Sequence, residues 1–91
     1  MSIMVRIPTP LRRVTDGQDK VSVEGSSINE VIVALDSQYP GIRERLCDEQ
    51  GELRNFVNIY VNGEDVRFLQ ELNTATKDGD EVSIVPAVAG G

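Results

Sequence analysis

Phe56-Val57-Asn58-Ile59-Tyr60-Val61-Asn62-Gly63-Glu64-Asp65-Val66-Arg67-Phe68 is the stretch that decides the fold. Its first six residues are rich in β-branched and aromatic side chains, the composition of a half-buried strand. Asn62-Gly63 follows as a turn pair suited to a tight hairpin. Glu64 to Leu69 then reads as a short edge strand with Val66 and Phe68 on one side. Each strand has one apolar face, and that face must be covered by another element.

Working outward toward the N-terminus, Ile3, Val5 and Ile7 alternate with Met4, Arg6 and Pro8, the period-two signal of a strand that stops at proline. The polar segment Thr9 to Asp19, punctuated by Asp16-Gly17, leads to a second alternating run through Val21 and Val23. Ser27-Ile28-Asn29-Glu30 reads as a capping box, the serine hydroxyl accepting from the third helical amide and the glutamate returning to the cap's own amide. A helical stripe of Ile28, Val31, Ile32, Leu35 and Tyr39 follows, and Pro40-Gly41 ends it. Ile42 to Leu46 fits a short second helical turn, with a loop around Gly51 after it.

Toward the C-terminus, Asp78-Gly79-Asp80 forms a turn and Glu81 to Pro86 a last strand. An uncharged stem, Ala87-Val88-Ala89, then leads to Gly90-Gly91. The sequence predicts an α+β domain over residues 1–86, one main helix laid across a small mixed sheet, and a flexible tail over residues 87–91.

Composition narrows the function classes. The chain of 91 residues supports one modest core and no cleft between domains. Nine basic against fifteen acidic residues give a net charge of -6, which argues against a nucleic-acid partner. Residues 51–91 hold three basic and seven acidic side chains, so the C-terminal half is expected to present the more acidic face and to suit a basic enzyme. No apolar run approaches a membrane span, and the single Cys47 has no internal disulfide partner, which together predict a cytoplasmic protein. Histidine is absent, which removes the commonest general acid/base and metal ligand. With no nucleophile-base pair, phosphate-binding glycine loop or metal constellation, the sequence predicts no enzyme, no metal and no bound cofactor.

The run Phe56 to Phe68, the run Asp78 to Pro86 and the terminal Gly90-Gly91 together resemble the ubiquitin-like sulfur carriers of the MoaD/ThiS family. The likeness spans the whole chain, and the Ala87-Val88-Ala89 stem is most similar to the carriers of a cysteine-synthesis route. It implies a β-grasp fold with the first and last strands parallel at the sheet centre. It also implies that Gly91 is adenylated by an E1-like, ATP-using enzyme and converted to a thiocarboxylate. Gly90, Ala89, Val88 and Ala87 would give the tail access to that partner's active site, because a narrow channel admits a chain without side-chain bulk. Five residues beyond Pro86 span at most about 16 to 18 Å. Val85 and Phe68 are the docking-patch candidates nearest the tail, with Phe68 equally readable as core. Acceptor partners implied by the resemblance are a PLP-dependent cysteine synthase and a metallopeptidase. Sulfur donation to molybdopterin, thiamine or another metabolite, conjugation of Gly91 to proteins, and a β-grasp binding module without activation are the alternatives.

Other reactive-looking residues have simpler readings. Cys47, beside Leu46, reads as a small buried hydrophobe and not a persulfide site, with Asp48 and Glu49 disfavouring its thiolate. Glu64-Asp65 and Asp78 with Asp80 read as turn-formers. Arg12-Arg13 and Arg43 with Arg45 read as solubilising surface charge.

Overall fold

The computed structural model describes residues 2–86. Five strands, β1 (Ser2–Arg6), β2 (Lys20–Glu24), β3 (Val57–Val61), β4 (Glu64–Asp65) and β5 (Glu81–Pro86), form one sheet in the order β2-β1-β5-β3-β4. β1 and β5 run parallel at its centre and every other neighbouring pair is antiparallel. This is the β-grasp arrangement that the family resemblance implies. Helix α1 (Ile28–Gln38) and the short α2 (Ile42–Leu46) complete the element list, together with 3-10 turns at Thr9–Leu11, Val66–Phe68 and Glu71–Asn73.

Alternation places the core. Ile3 and Val5 of β1, Val21 and Val23 of β2, Val57, Ile59 and Val61 of β3, and Val82 and Ile84 of β5 are buried on one sheet face. Ile28, Val31, Ile32 and Leu35 of α1 meet them, with Ile42 and Leu46 of α2 closing one side. The alternate residues, among them Met4, Arg6, Ser22, Tyr60, Ser83 and Val85, lie on the opposite sheet face, and none of these six is buried.

Local chemistry sets the element ends. The Ser27 hydroxyl accepts from the Glu30 amide at 3.2 Å, as a helix cap should. The glutamate departs from the expected box: its carboxylate accepts from the amide and hydroxyl of Ser26, at 3.0 and 2.9 Å, not from the amide of Ser27. Ser27 instead pairs in an isolated bridge with Ala75, which tethers the helix start to the segment before β5. α1 ends at Gln38, so Tyr39 is its half-buried cap and not a full member of the stripe. Gly41 takes φ 103°, and the Asp36 carboxylate accepts from both the Gly41 and Arg43 amides, at 3.0 and 3.1 Å, to start α2. Asn62 and Gly63, with φ of 51° and 91°, make the tight hairpin turn the pair foretold.

The predicted edge strand from Glu64 to Leu69 is corrected by the structure. Pairing covers Glu64 and Asp65 alone, after which the Asp65 carboxylate accepts from the Arg67 amide at 2.9 Å and a 3-10 turn takes over. Side chains two apart on such a turn point in different directions. Val66 is accordingly buried and Phe68 exposed, not on one side as expected. Phe56 was expected to open β3, but the strand starts at Val57 and Phe56 lies outside the ladder.

Candidate functional site at the departing end of β5

β5 is the strand that leads out of the domain. Its first half is enclosed: Glu81, Val82 and Ser83 pair with Met4, Val5 and Arg6 of β1, and Val82 and Ser83 also face Val61 and Tyr60 of β3. Beyond Ser83 only β3 accompanies it, with Ile59, Asn58 and Val57 opposite Ile84, Val85 and Pro86. Pro86 has no N–H to continue a ladder. β5 thus ends beside the start of β3. Ala87, Val88, Ala89, Gly90 and Gly91, for which access and attachment roles were expected, lie outside the described residues.

The opposite end of β5 is fastened by the Asp78-Gly79-Asp80 turn. The Ser2 amide donates to the Asp78 carboxylate at 2.6 Å, and the Gly79 amide to the Ser2 carbonyl at 2.9 Å. Asp80 accepts from the Lys77 amide at 2.8 Å and from the Asn62 carboxamide at 2.9 Å, while the Asn62 oxygen accepts from the Glu81 amide at 3.0 Å. Donation by the Asn62 side chain, and then by the Lys77 amide, holds the Asp80 carboxyl below the ordinary carboxylate range. These acids are structural, as read from the sequence. They lock the two central strands and the β3–β4 turn into one register. Among the described residues no group of three metal-ligating side chains is present.

Around the departing end the surface is apolar. Val85 is 43% exposed and alternates away from the buried Val82 and Ile84, so it lies on the uncovered sheet face. Phe68 is 87% exposed, which settles its reading as surface and not core. Phe56, just ahead of the Val57–Pro86 pair, and Leu69, just after Phe68, are also exposed. Neither was named as a candidate. Phe56 was recoverable: with Val57, Ile59 and Val61 sharing one face, residue 56 falls out of phase with the core. Arg67 ties the region together, donating one guanidinium nitrogen to the Asn58 carboxamide oxygen and another to the Arg54 carbonyl, the latter at 2.8 Å. Since Asn58 stands opposite Val85, this brace fixes the turn that carries Phe68 to the strand that borders the exit.

Cys47 is buried at the end of α2, and burial raises its thiol pKa, with Asp48 adding to the effect and Arg43 and Arg54 opposing it. A cleft of about 750 Å³ runs past it between Asp36, Arg43, Glu44, Asp48 and Arg54, against α2. The carboxylates of Asp36, Glu44, Asp48 and Glu49 outnumber the guanidinium groups of Arg43 and Arg54 along this cleft, and no residue of β5 lines it.

A model of the ThiS family matches residues 5–91. The chain belongs to the ThiS family. Among its relatives in this family is the sulfur carrier protein CysO of Mycobacterium tuberculosis, 55% identical with both chains covered in full. The small archaeal modifier protein 3 of Haloferax volcanii is 40% identical over 75% of this chain and 73% of its own. A chain in the crystal structure of the Amycolatopsis orientalis BexX/CysO complex superposes with a TM-score of 0.93 at 46% identity, covering 98% of this chain and 99% of that one. ThiS-family membership and these likenesses bear out the resemblance read from the sequence, and the β-grasp fold with it. No helix among the described residues is long and apolar enough to cross a membrane.

Proposed function

We propose that this chain is a sulfur carrier that serves a cysteine-forming route and is itself no enzyme. The observation that carries the reading is the 55% identity, over the full length of both chains, to the sulfur carrier protein CysO. In this reading an E1-like partner binds ATP, and the Gly91 carboxylate attacks its α-phosphorus, releasing pyrophosphate. A sulfur nucleophile then displaces AMP from the acyl-adenylate and leaves a thiocarboxylate. The thiocarboxylate adds to an aminoacrylate held by a PLP enzyme, an acyl shift leaves cysteine amide-linked to Gly91, and a metallopeptidase releases it. ATP, PLP and metal belong to the partners, and the carrier supplies the sulfur.

The domain's contribution is presentation. β5 is fastened at its base by Asp78 and Asp80 and ends at Pro86, next to the exposed Val85. Such an arrangement suits a body that stays outside a partner's channel while Gly91 enters it. Likeness to a small archaeal modifier favours one second reading, conjugation of Gly91 to protein amines. Activation is common to both readings, and conjugation would add ladders of heavier species. The test is ATP–pyrophosphate exchange with the activating enzyme, using the chain that ends at Gly91 and a version lacking Gly90 and Gly91. Exchange with the first and none with the second is expected. Equal exchange from both would overturn the assignment of Gly91, and Gly90→Val is expected to slow exchange while leaving thermal unfolding unchanged.

A further inference from the structure

The sheet is five strands wide near the start of β5 and two strands wide at its end. Val5 of β1 pairs with Val21 and Val82, and Val82 stands opposite Val61, which pairs with Glu64, so all five strands meet on that row. Pairing of β5 with β1 stops at Ser83, and pairing of β3 with β4 covers only Tyr60 and Val61. Ile84, Val85 and Pro86 therefore have only Ile59, Asn58 and Val57 beside them in the ladder. A ribbon of two strands is marginal by itself and twists more than a wide sheet. The end of β5 is thus placed by the first half of β3, and whatever holds that half holds it too.

Arg67 supplies the hold that β4 does not. Directly after β4 the chain turns, and the half-buried Arg67 reaches back to β3, donating from Nη1 to the Asn58 carboxamide oxygen and from Nη2 to the Arg54 carbonyl at 2.8 Å. Asn58 stands directly opposite Val85. The Arg54 carbonyl also accepts from the Val57 amide at 3.1 Å, in the turn that opens β3 opposite Pro86. Arg54 is in turn fastened to α2, its amide donating to the Leu46 carbonyl at 2.9 Å and its Nε to the Glu44 carbonyl at 3.1 Å. One guanidinium fork therefore ties the two residues of β3 that face Val85 and Pro86 to the rest of the domain. Geometry carries this role and charge does not: both acceptors are neutral oxygens, the Asp65 carboxylate accepts from the Arg67 amide, and Glu52 and Glu71 line the same cleft as Arg67.

We propose that Arg67 is a positioning residue for activation, which stands in for the strand missing beside the first half of β3 and so fixes the place of Pro86, the point from which Gly91 is presented. This rests on the proposed activation of Gly91 and names the residue of the folded body that sets its aim. Five residues span at most about 16 to 18 Å. In a channel that uses most of that reach there is no slack, so an error in the place of Pro86 is passed on to Gly91, and a misplacement of about 1 Å can cost up to about a hundredfold in rate. Lysine would not replace Arg67, because one ammonium does not reproduce the planar fork that spans two acceptors.

The experiment measures kcat and KM for the carrier in the ATP–pyrophosphate exchange assay, and amide hydrogen exchange along β5, for the full chain and for Arg67→Lys, Asn58→Ala, the double variant and Asn58→Asp. Arg67→Lys and Asn58→Ala are each expected to lower kcat about tenfold while KM stays within about twofold. Both should speed hydrogen exchange at the Val85 amide about tenfold and leave the Val82 amide, where β1 and β3 both flank the strand, unchanged. The double variant should fall no further than Arg67→Lys alone, since both cut one contact. Asn58→Asp keeps an acceptor for the guanidinium and should recover at least about half of the rate lost in Asn58→Ala. An unchanged kcat for Arg67→Lys, a rise in KM alone, additive losses in the double variant, or equal acceleration at Val82 and Val85 would overturn the proposal. Failure of the parent chain to support any exchange would overturn the activation reading and this proposal with it, whereas exchange from the parent with no loss in Arg67→Lys overturns this proposal alone.

Discussion

Val66 and Phe68 occupy one 3-10 turn, two residues apart, yet one side chain is buried and the other stands in solvent. Val66 is fully buried within the core. Val66→Ala deletes two methyl groups, a transfer loss of about 1.6 kcal/mol at roughly 0.8 per carbon, and a residual cavity brings the total to about 2–3 kcal/mol. For a domain of this size that corresponds to a fall in Tm of roughly 10–20 °C. Phe68→Ala removes a ring that is already 87% exposed, so its effect on stability should stay within about 0.5 kcal/mol. If the ring is buried on docking, its loss costs about 2 kcal/mol there, close to a thirtyfold rise in KM for activation. Thermal unfolding followed by circular dichroism and the exchange assay separate the two. Equal destabilisation by both variants would refute the 3-10 turn and restore a strand with both side chains on one side. An unchanged KM for Phe68→Ala would remove the ring from the docking surface.

Three further expectations concern the frame. A Cβ at Gly25 would lie 2.9 Å from the Val31 amide nitrogen and 3.2 Å from the Glu30 carbonyl carbon, both backbone atoms, so Gly25→Ala should cost about 1–3 kcal/mol in urea unfolding. Asp80 has its folded pKa depressed, so its stabilisation is complete above the ordinary carboxylate range and lost as pH falls through the lower folded value. Asp80→Ala should therefore lose stability at neutral pH and show a shallower decline in acid than the parent, and identical pH profiles would contradict the Asn62–Asp80 contact. Cys47, with its thiol pKa raised by burial, should alkylate far more slowly in native protein than in denaturant, and Cys47→Ala should still acquire sulfur. Loss of sulfur loading in that variant would reinstate the persulfide reading.

The elements that sequence disclosed were those whose signal is local. Alternation through Ile3, Val5 and Ile7 and through Val57, Ile59 and Val61 needs only a strand's period of two, and the same residues are the buried ones. Pro40-Gly41 and Asn62-Gly63 carry backbone preferences in the residues themselves. What stayed hidden depended on partners distant along the chain. Glu30 could not be assigned to Ser26 over Ser27 before the path of Gly25 and Ser26 across the helix start was known. Phe68 was ambiguous because Asp65 works as a cap, and a side chain that bonds its own backbone two residues on competes with the ladder.

The central claim is that Gly91 is the carrier's working atom donor and the folded body its holder. Intact mass of the chain ending at Gly91, after incubation with ATP, its E1-like enzyme and a sulfur donor, tests this most directly. The account predicts a gain equal to the difference between sulfur and oxygen, located on the C-terminal peptide and absent when ATP is omitted. An unchanged mass while the same enzyme activates another carrier, or a gain located on Cys47, would contradict it.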